Sequence, residues 1–304
     1  MSWSIREDEE SKREFFDDEE ALLAKIKYVA SLLKNAKHAI VFTGAGISTS
    51  TGISDFRSGM QTKSPGGPGF WERQADYERK TRGARNEFTK NDPQRPRIDL
   101  DAMLGKQPSY THFAIAKLVE LGIVKCVLSQ NVDGLHRKSG IVNDHELAEL
   151  HGNLLVEFCP RCFHKYERNF RVGPNPGRAH KTGRWCDKCG DVELKDNLVP
   201  FGEDLPKHET DKAWHQSDVA DFCLALGSSL TVTPACDYAG WVGQKKNYAG
   251  ENQNSHLVIV NLQNTPYNHH ATEVVHGYCD RVMELLMKEM SVQIGKSGTE
   301  APKV

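Results

Sequence analysis

The stretch from Ile40 to Arg57 reads IVFTGAGISTSTGISDFR. Ile40, Val41 and Phe42 make an apolar strand end, and Gly44 and Gly46 open a turn in the manner of the G-x-G-x-x-G dinucleotide loop. The pattern then breaks. Thr49 holds the place of the third glycine. The next acidic residue, Asp55, sits in an Asp-Phe-Arg triplet, too early for the ribose-binding carboxylate expected about 20 residues on. The stretch keeps a strand, a phosphate-cradling loop and a helix start, and adds a polar triplet for which a dehydrogenase has no use.

Three further runs resemble the first, HAIVFTGAG (38–46). They are VKCVLSQNVDG (124–134), DFCLALGSSL (221–230) and SHLVIVNLQ (255–263). Helical patterns separate them, notably THFAIAKLVELG (111–122), and another helix is expected from Ala21, with Asp17 and Asp18 ahead of it for capping. Strands alternating with helices predict an α/β fold, a doubly wound, mostly parallel, Rossmann-like sheet. Ligands of such sheets bind beyond the carboxyl ends of the strands, where the conspicuous polar loops of this chain all fall.

At 304 residues the chain is long enough for about two domains. The expected layout has an acidic N-terminal tail (1–20) and a Rossmann-like dinucleotide-binding domain formed by 21–57, 109–158 and 191–290. A cofactor loop and helical insertion (58–108), a zinc-ribbon module (159–190) and a disordered tail (291–304) complete it. A net charge of -2, from 39 basic and 41 acidic residues, argues against a dedicated nucleic-acid binder. No apolar run approaches the roughly 18 residues of a membrane span, and the start, MSWSIREDEE, is acidic where a secretory signal is basic. A soluble intracellular protein without a membrane partner is expected.

Four of the 8 cysteines form two C-x2-C pairs, Cys159/Cys162 and Cys186/Cys189. Two such knuckles complete a tetrahedron around one Zn2+, and four thiolates leave no open position for catalysis, so the zinc is expected to be structural. His164 and His180 read as exposed loop residues, not ligands. Cys126, Cys223, Cys236 and Cys279 lie in apolar contexts and read as buried thiols.

With the zinc set apart, the chemistry falls to the strand-end loops. The GAG turn offers N–H groups and a helix N-terminus to a pyrophosphate, and GSS (227–229) is a second small-residue loop. NLQ (261–263) offers amides, SQNVDGLH (129–136) carries Gln130, Asn131 and Asp133, and ELHGN (149–153) presents His151. Any one of these suits ordinary turn chemistry. Five in this order point to one site.

These motifs resemble the sirtuins, NAD-dependent protein lysine deacylases, from about Leu22 to Met290. GAGIS (44–48), DFR (55–57), QNVDG (130–134), HGN (151–153), the cysteine pairs, FGE (201–203), GSSL (227–230) and VNLQ (260–263) carry the resemblance. LSQNVDGLHRKSGI (128–141), VIVNLQNTP (258–266) and HGYCDRVMELLMKE (276–289) are similar to the class IV branch, which holds sirtuins six and seven.

The resemblance implies cleavage of the nicotinamide glycosidic bond of NAD, with transfer of an acyl group from lysine to ADP-ribose. It implies His151 as general base, with Asn131 beside it. The NAD contacts it implies are Gly44, Ala45, Gly46, Thr49, Asp55, Phe56, Arg57, Trp71, Gln130, Asn131 and Asp133, then Gly227, Ser228, Ser229, Asn261, Leu262, Gln263 and Cys279. Val199, Phe201 and Gly202 would line the acyl-lysine tunnel of a protein or peptide substrate, histones included. The class IV likeness implies a nuclear location, with the cytoplasm as alternative. The competing activities are protein mono-ADP-ribosylation and NAD hydrolysis at the same site.

Two departures stand out. Ser54 occupies a position usually held by proline in the family, which is expected to loosen that turn. Between Arg57 and Trp71 the loop is longer and richer in glycine and proline than the class IV version, and its length bears on NAD affinity and acyl preference.

Overall fold

Residues Ala39–Thr43 are buried throughout, which is why they read as an unbroken apolar run and not as an alternating one. The computed structural model describes residues 12–81, 92–173, 179–200, 202–245 and 255–294. The chain runs through α1 (Glu19–Asn35), β1 (Ala39–Thr43), a 3-10 turn (Ala45–Thr51), α2 (Phe70–Thr81) and α3 (Leu100–Leu104). It continues through α4 (Tyr110–Glu120), β2 (Val124–Ser129), the single turn α5 (Leu135–Lys138) and β3 (Leu147–Glu149). Four short strands follow: β4 (Val156–Phe158), β5 (Lys165–Glu167), β6 (Lys181–Trp185) and β7 (Glu193–Asp196). The last part holds α6 (Lys207–Val219), β8 (Phe222–Leu226), α7 (Ala235–Gln244), β9 (His256–Val260), β10 (Glu273–Val275) and α8 (Cys279–Glu289).

Six strands pair in the order β10-β9-β8-β1-β2-β3, all parallel. The four runs expected from the sequence are the four central strands. Val41, Val127, Leu224 and Val258 face one layer, built from α1, α4 and α8. Ile40, Phe42, Leu128, Cys223 and Ile259 face the other, under α6 and α7. This is the doubly wound arrangement. The chain order turns around between β1 and β8, and that switch point is where such sheets open a crevice.

Asp18 caps α1 as expected: its Oδ1 accepts from Ala21 N at 2.8 Å. Asp17 does something else. It accepts from Lys25 Nζ at 2.7 Å and from His276 N at 2.9 Å. From Lys12 onward the segment before α1 is no solvated lead-in but lies across the ends of β9 and β10. Glu14 bridges Gln263 antiparallel, Phe15 N donates to Leu262 O and Asp17 N to His276 O, both at 2.8 Å. Apolar contact favours this course, with Phe15 against His276 and Phe16 against Tyr278. Residues 1–11 lie outside the described residues. At the other end Val292 and Ile294 pack against the core, so the expected disordered tail does not begin at 291; residues 295–304 lie outside the described residues.

The paired cysteines sit on a separate antiparallel sheet of order β5-β4-β7-β6. It has four strands, and it reaches from Val156 to Asp196, beyond 159–190 at both ends. Charge ties it to the main sheet. Arg137 of α5 pairs with Asp144, Glu149 and Glu167 at 2.7, 2.8 and 2.5 Å. Buried Glu209 of α6 pairs with Lys165 of β5 at 3.0 Å and with Lys212 at 2.9 Å. Cys126, Cys223, Cys236 and Cys279 are buried, as their contexts predicted. No helix among the described residues is long and apolar enough to cross a membrane.

Candidate active site

A crevice of about 920 Å³ opens at the carboxyl ends of the strands, between the main sheet, the insertion and the cysteine-bearing sheet. Its floor is the switch point. Gly44 N donates to Leu226 O at 3.0 Å and Gly46 N to Gly227 O at 2.8 Å. A Cβ on Gly44 would lie 2.6 Å from Gly227 O, and one on Gly46 would lie 2.7 Å from Gly227 Cα. The loops after β1 and β8 thus interlock backbone on backbone. This corrects two expectations for the GAG turn. The N–H groups of Gly44 and Gly46 are bonded to the neighbouring loop, not offered to a phosphate. The segment that follows is a 3-10 turn, not an α-helix, and Thr49 donates its hydroxyl back to Gly46 O at 3.0 Å. Gly44, Ala45, Gly46, Thr49, Gly227, Ser228 and Ser229 all line the crevice.

The Asp-Phe-Arg triplet lies on one wall with Trp71. Asp55 Oδ1 accepts from Arg57 N at 2.9 Å and Ser58 N at 2.8 Å, while Oδ2 accepts from the Ser58 hydroxyl. Asp55 therefore shapes the loop that presents Phe56 and Arg57. Phe70 N and Trp71 N donate to Asp55 O and Phe56 O at 2.9 and 3.1 Å, setting α2 against the triplet. Ser54 does not loosen this turn. Its hydroxyl donates to Gly66 O at 2.7 Å and pins the longer loop to the triplet.

Beyond β2, Gln130, Asn131 and Asp133 line the opposite wall. Gln130 Oε1 accepts from Ser228 Oγ at 2.8 Å, and Asn131 Nδ2 donates to Gly44 O at 3.1 Å. Buried Asp133 accepts from Ser48 Oγ at 2.7 Å and from Leu135 N at 3.0 Å. His151 lines the crevice beside them, with Nδ1 at 2.9 Å from Gln130 O. A carbonyl oxygen only accepts, so Nδ1 carries the proton and Nε2 keeps its lone pair. Burial lowers the pKa of this ring, which favours the neutral, basic form.

At one end of the crevice stand Asn261, Leu262, Gln263 and Cys279, whose thiol is pushed up to about 12 by burial and stays protonated. Glu14 joins them, a residue the sequence reading placed in the acidic N-terminal tail. Its carboxylate accepts from Lys63 N at 2.9 Å and from the Thr62 hydroxyl, so it holds the longer loop over this end. At the other end Val199 and Gly202 line the wall; Phe201 lies outside the described residues. Val199 N donates to His151 O at 3.1 Å. His180, expected as an exposed loop residue, also faces the crevice, with Asp196 and Glu203.

The four expected zinc ligands meet. Their Sγ atoms all lie within 4.8 Å of one another, with Cys159–Cys189 at 3.8 Å and Cys162–Cys186 at 3.7 Å. A tetrahedron with Zn–S near ~2.3 Å has edges of about 3.8 Å, so the cluster fits one closed, structural Zn2+ site. The Tyr166 hydroxyl lies 3.3 Å from Cys186 Sγ. His164 stacks edge-on against Tyr166 and is not among the clustered ligands.

The match to the Sir2 family covers residues 44–234, from the first glycine loop to the start of α7. The chain belongs to the Sir2 family. Among Sir2 relatives, the NAD-dependent protein deacetylase SRT1 of Arabidopsis thaliana is 39% identical over 92% of this chain and 52% of that protein. The NAD-dependent protein deacetylase sirtuin-7 of Homo sapiens is 36% identical over 93% of this chain and 64% of that protein. The chain thus spans about half the length of the plant relative. A solved structure of Sir2 with a p53 peptide and NAD+ superposes with a TM-score of 0.58 at 28% identity, covering 88% of this chain and 99% of that one. The sirtuin-7 match agrees with the class IV motifs.

Proposed function

We propose that the chain is an NAD-dependent protein lysine deacylase, and the observation that carries this reading is the His151 ring. Its Nδ1–H is held by Gln130 O at 2.9 Å, so Nε2 is a base fixed in a crevice that the glycine loops share with residues 198–200 and 202–205. The acyl-lysine amide oxygen attacks C1′ of the NAD ribose as nicotinamide leaves. A ribose hydroxyl then gives its proton to His151 Nε2 and attacks the acyl carbon. The lysine amine then leaves with the proton returned by His151, water adds to the acyl carbon left bridging the two ribose oxygens, and free lysine, nicotinamide and O-acyl-ADP-ribose result. Asn131 and Gln130, fixed by Gly44 O and Ser228 Oγ, orient the ribose and carboxamide, while Phe56 covers the reactive face.

The peptide adds as a strand beside 197–205, between the zinc-binding sheet and the main sheet, recognised through its main chain. The Sir2 structure holding a p53 peptide and NAD+ supports this reading. Zinc supplies no chemistry here; its thiolates hold the sheet that forms the peptide wall.

Mass spectrometry of the NAD products with acetyl-, succinyl- and myristoyl-lysine peptides tests the proposal. O-acyl-ADP-ribose with deacylated peptide is the expected outcome. ADP-ribose formed without peptide would assign NAD hydrolysis, and an ADP-ribosylated peptide would assign transferase activity.

A further inference from the structure

The crevice lining also holds an arrangement that the reaction does not use. His180 precedes β6 with φ 67 and its carbonyl accepts from Asp196 N at 2.9 Å. Its Nδ1 lies 3.1 Å from Asp196 Oδ1 and its Nε2 lies 2.9 Å from Glu203 Oε2. Both partners are carboxylates, which only accept when ionised. A ring that satisfies both must donate from both nitrogens and is therefore an imidazolium. Asp196 needs that charge. Its side chain is 0% exposed, and among the described residues its Oδ2 has no hydrogen-bond partner.

The two carboxylates flank residues 197–200 and 202, and the ring links them. Between them, Val199 N is bonded to His151 O. Leu198 N, one residue earlier, donates to Asp196 Oδ1 at 3.1 Å. The stretch laid beside the base is thus fixed by its own hydrogen bonds and by a single histidine across its ends.

We propose that His180 is a positioning residue for the substrate segment: the imidazolium bridges Asp196 and Glu203 and holds 196–200, with 202 and 203, in the arrangement that receives the acyl-lysine peptide. The peptide part of this statement rests on the deacylase reading above. The bridge itself does not.

Asp196 and Glu203 face the ring, and Arg171 and Asp204 share the same wall. The hydrogen bond that His180 donates to Asp196 and, after it, the one it donates to Glu203 raise the pKa of His180 above the ordinary 6.5. A raised pKa means that the bridge is complete at low pH and is lost as pH rises through the folded value. Peptide KM therefore rises on the alkaline side, whereas the neutral form of His151 limits the rate on the acid side.

The experiment compares wild type, His180→Gln and Glu203→Gln. Titration of the His180 ring by NMR, without substrate, is expected to give a pKa above 6.5 that falls in Glu203→Gln. Backbone hydrogen exchange of 198–205 is expected to quicken in both variants. Peptide KM is expected to rise about tenfold in His180→Gln, the loss of one charge-assisted hydrogen bond, with a much smaller change in kcat and in NAD affinity. An unshifted ring pKa in Glu203→Gln, or unchanged exchange in both variants, overturns the bridge. Unchanged peptide KM with faster exchange overturns its role in positioning substrate. A wild type that deacylates no peptide overturns the deacylase reading instead, and the NMR and exchange results still decide the bridge.

Discussion

A Cβ added to Gly152 would lie 1.9 Å from the carbonyl oxygen of Asn197. The backbone beside His151 and the backbone at Asn197 and Leu198 are in contact there with no space for a methyl group, and Gly152 also has φ +80. Gly152→Ala is expected to lower stability by roughly 2–4 kcal/mol and to displace His151. Urea denaturation and deacylation assays measure the two effects. A variant as stable and active as wild type would contradict the contact.

His151→Ala keeps the sheet and the cysteine cluster, because the ring lines the crevice and not the core. Deacylation is expected to fall by about 10²–10⁴-fold, the usual loss with a positioned general base. Nicotinamide exchange should fall less, since breaking the glycosidic bond removes no proton through this residue. In wild type, burial lowers the His151 pKa below 6.5, so the rate holds as pH falls through 6.5 and drops only at lower pH. An acid limb above 6.5 would assign the base elsewhere.

Cys186→Ala opens a cluster whose Cys162–Cys186 edge is 3.7 Å. Metal analysis should find the one zinc per chain lost, and the melting temperature should fall by at least about 5 °C. Full zinc occupancy with unchanged melting would overturn the four-thiolate site.

Glu14→Ala removes the acceptor for Lys63 N and the Thr62 hydroxyl. Amide exchange at 60–64 should quicken. NAD affinity should weaken roughly fivefold, equivalent to about 1 kcal/mol for partly exposed hydrogen bonds. Calorimetry with NAD alone checks this, and unaltered affinity together with unaltered exchange would refute it.

The central strands were legible because both faces of β1, β2, β8 and β9 are buried, which writes an apolar run into the chain. The zinc site was legible because knuckle spacing is a local constraint. The edge strands β3 and β10 were not, since each has three residues and includes a glutamate. Glu14 and His180 escaped for another reason: their partners lie far along the chain or across a turn, and no local pattern marks them. The GAG turn misled in part. Its glycines signal close approach, but the sequence does not say whether a phosphate or another loop makes that approach. Here Gly227 makes it.

That last contact bears on how this protein could be rebuilt. The loop after β1 and the loop after β8 lie more than 150 residues apart in the chain, counting from Gly46 to Gly227, yet each is packed backbone on backbone against the other. A glycine loop grafted in alone from a dehydrogenase, with a side chain at either contact, would meet the other's backbone at under 3 Å. Chimeras that exchange one half of the sheet should fail at this seam, while those that carry both loops together should fold. For recombination, the two distant segments are one indivisible part.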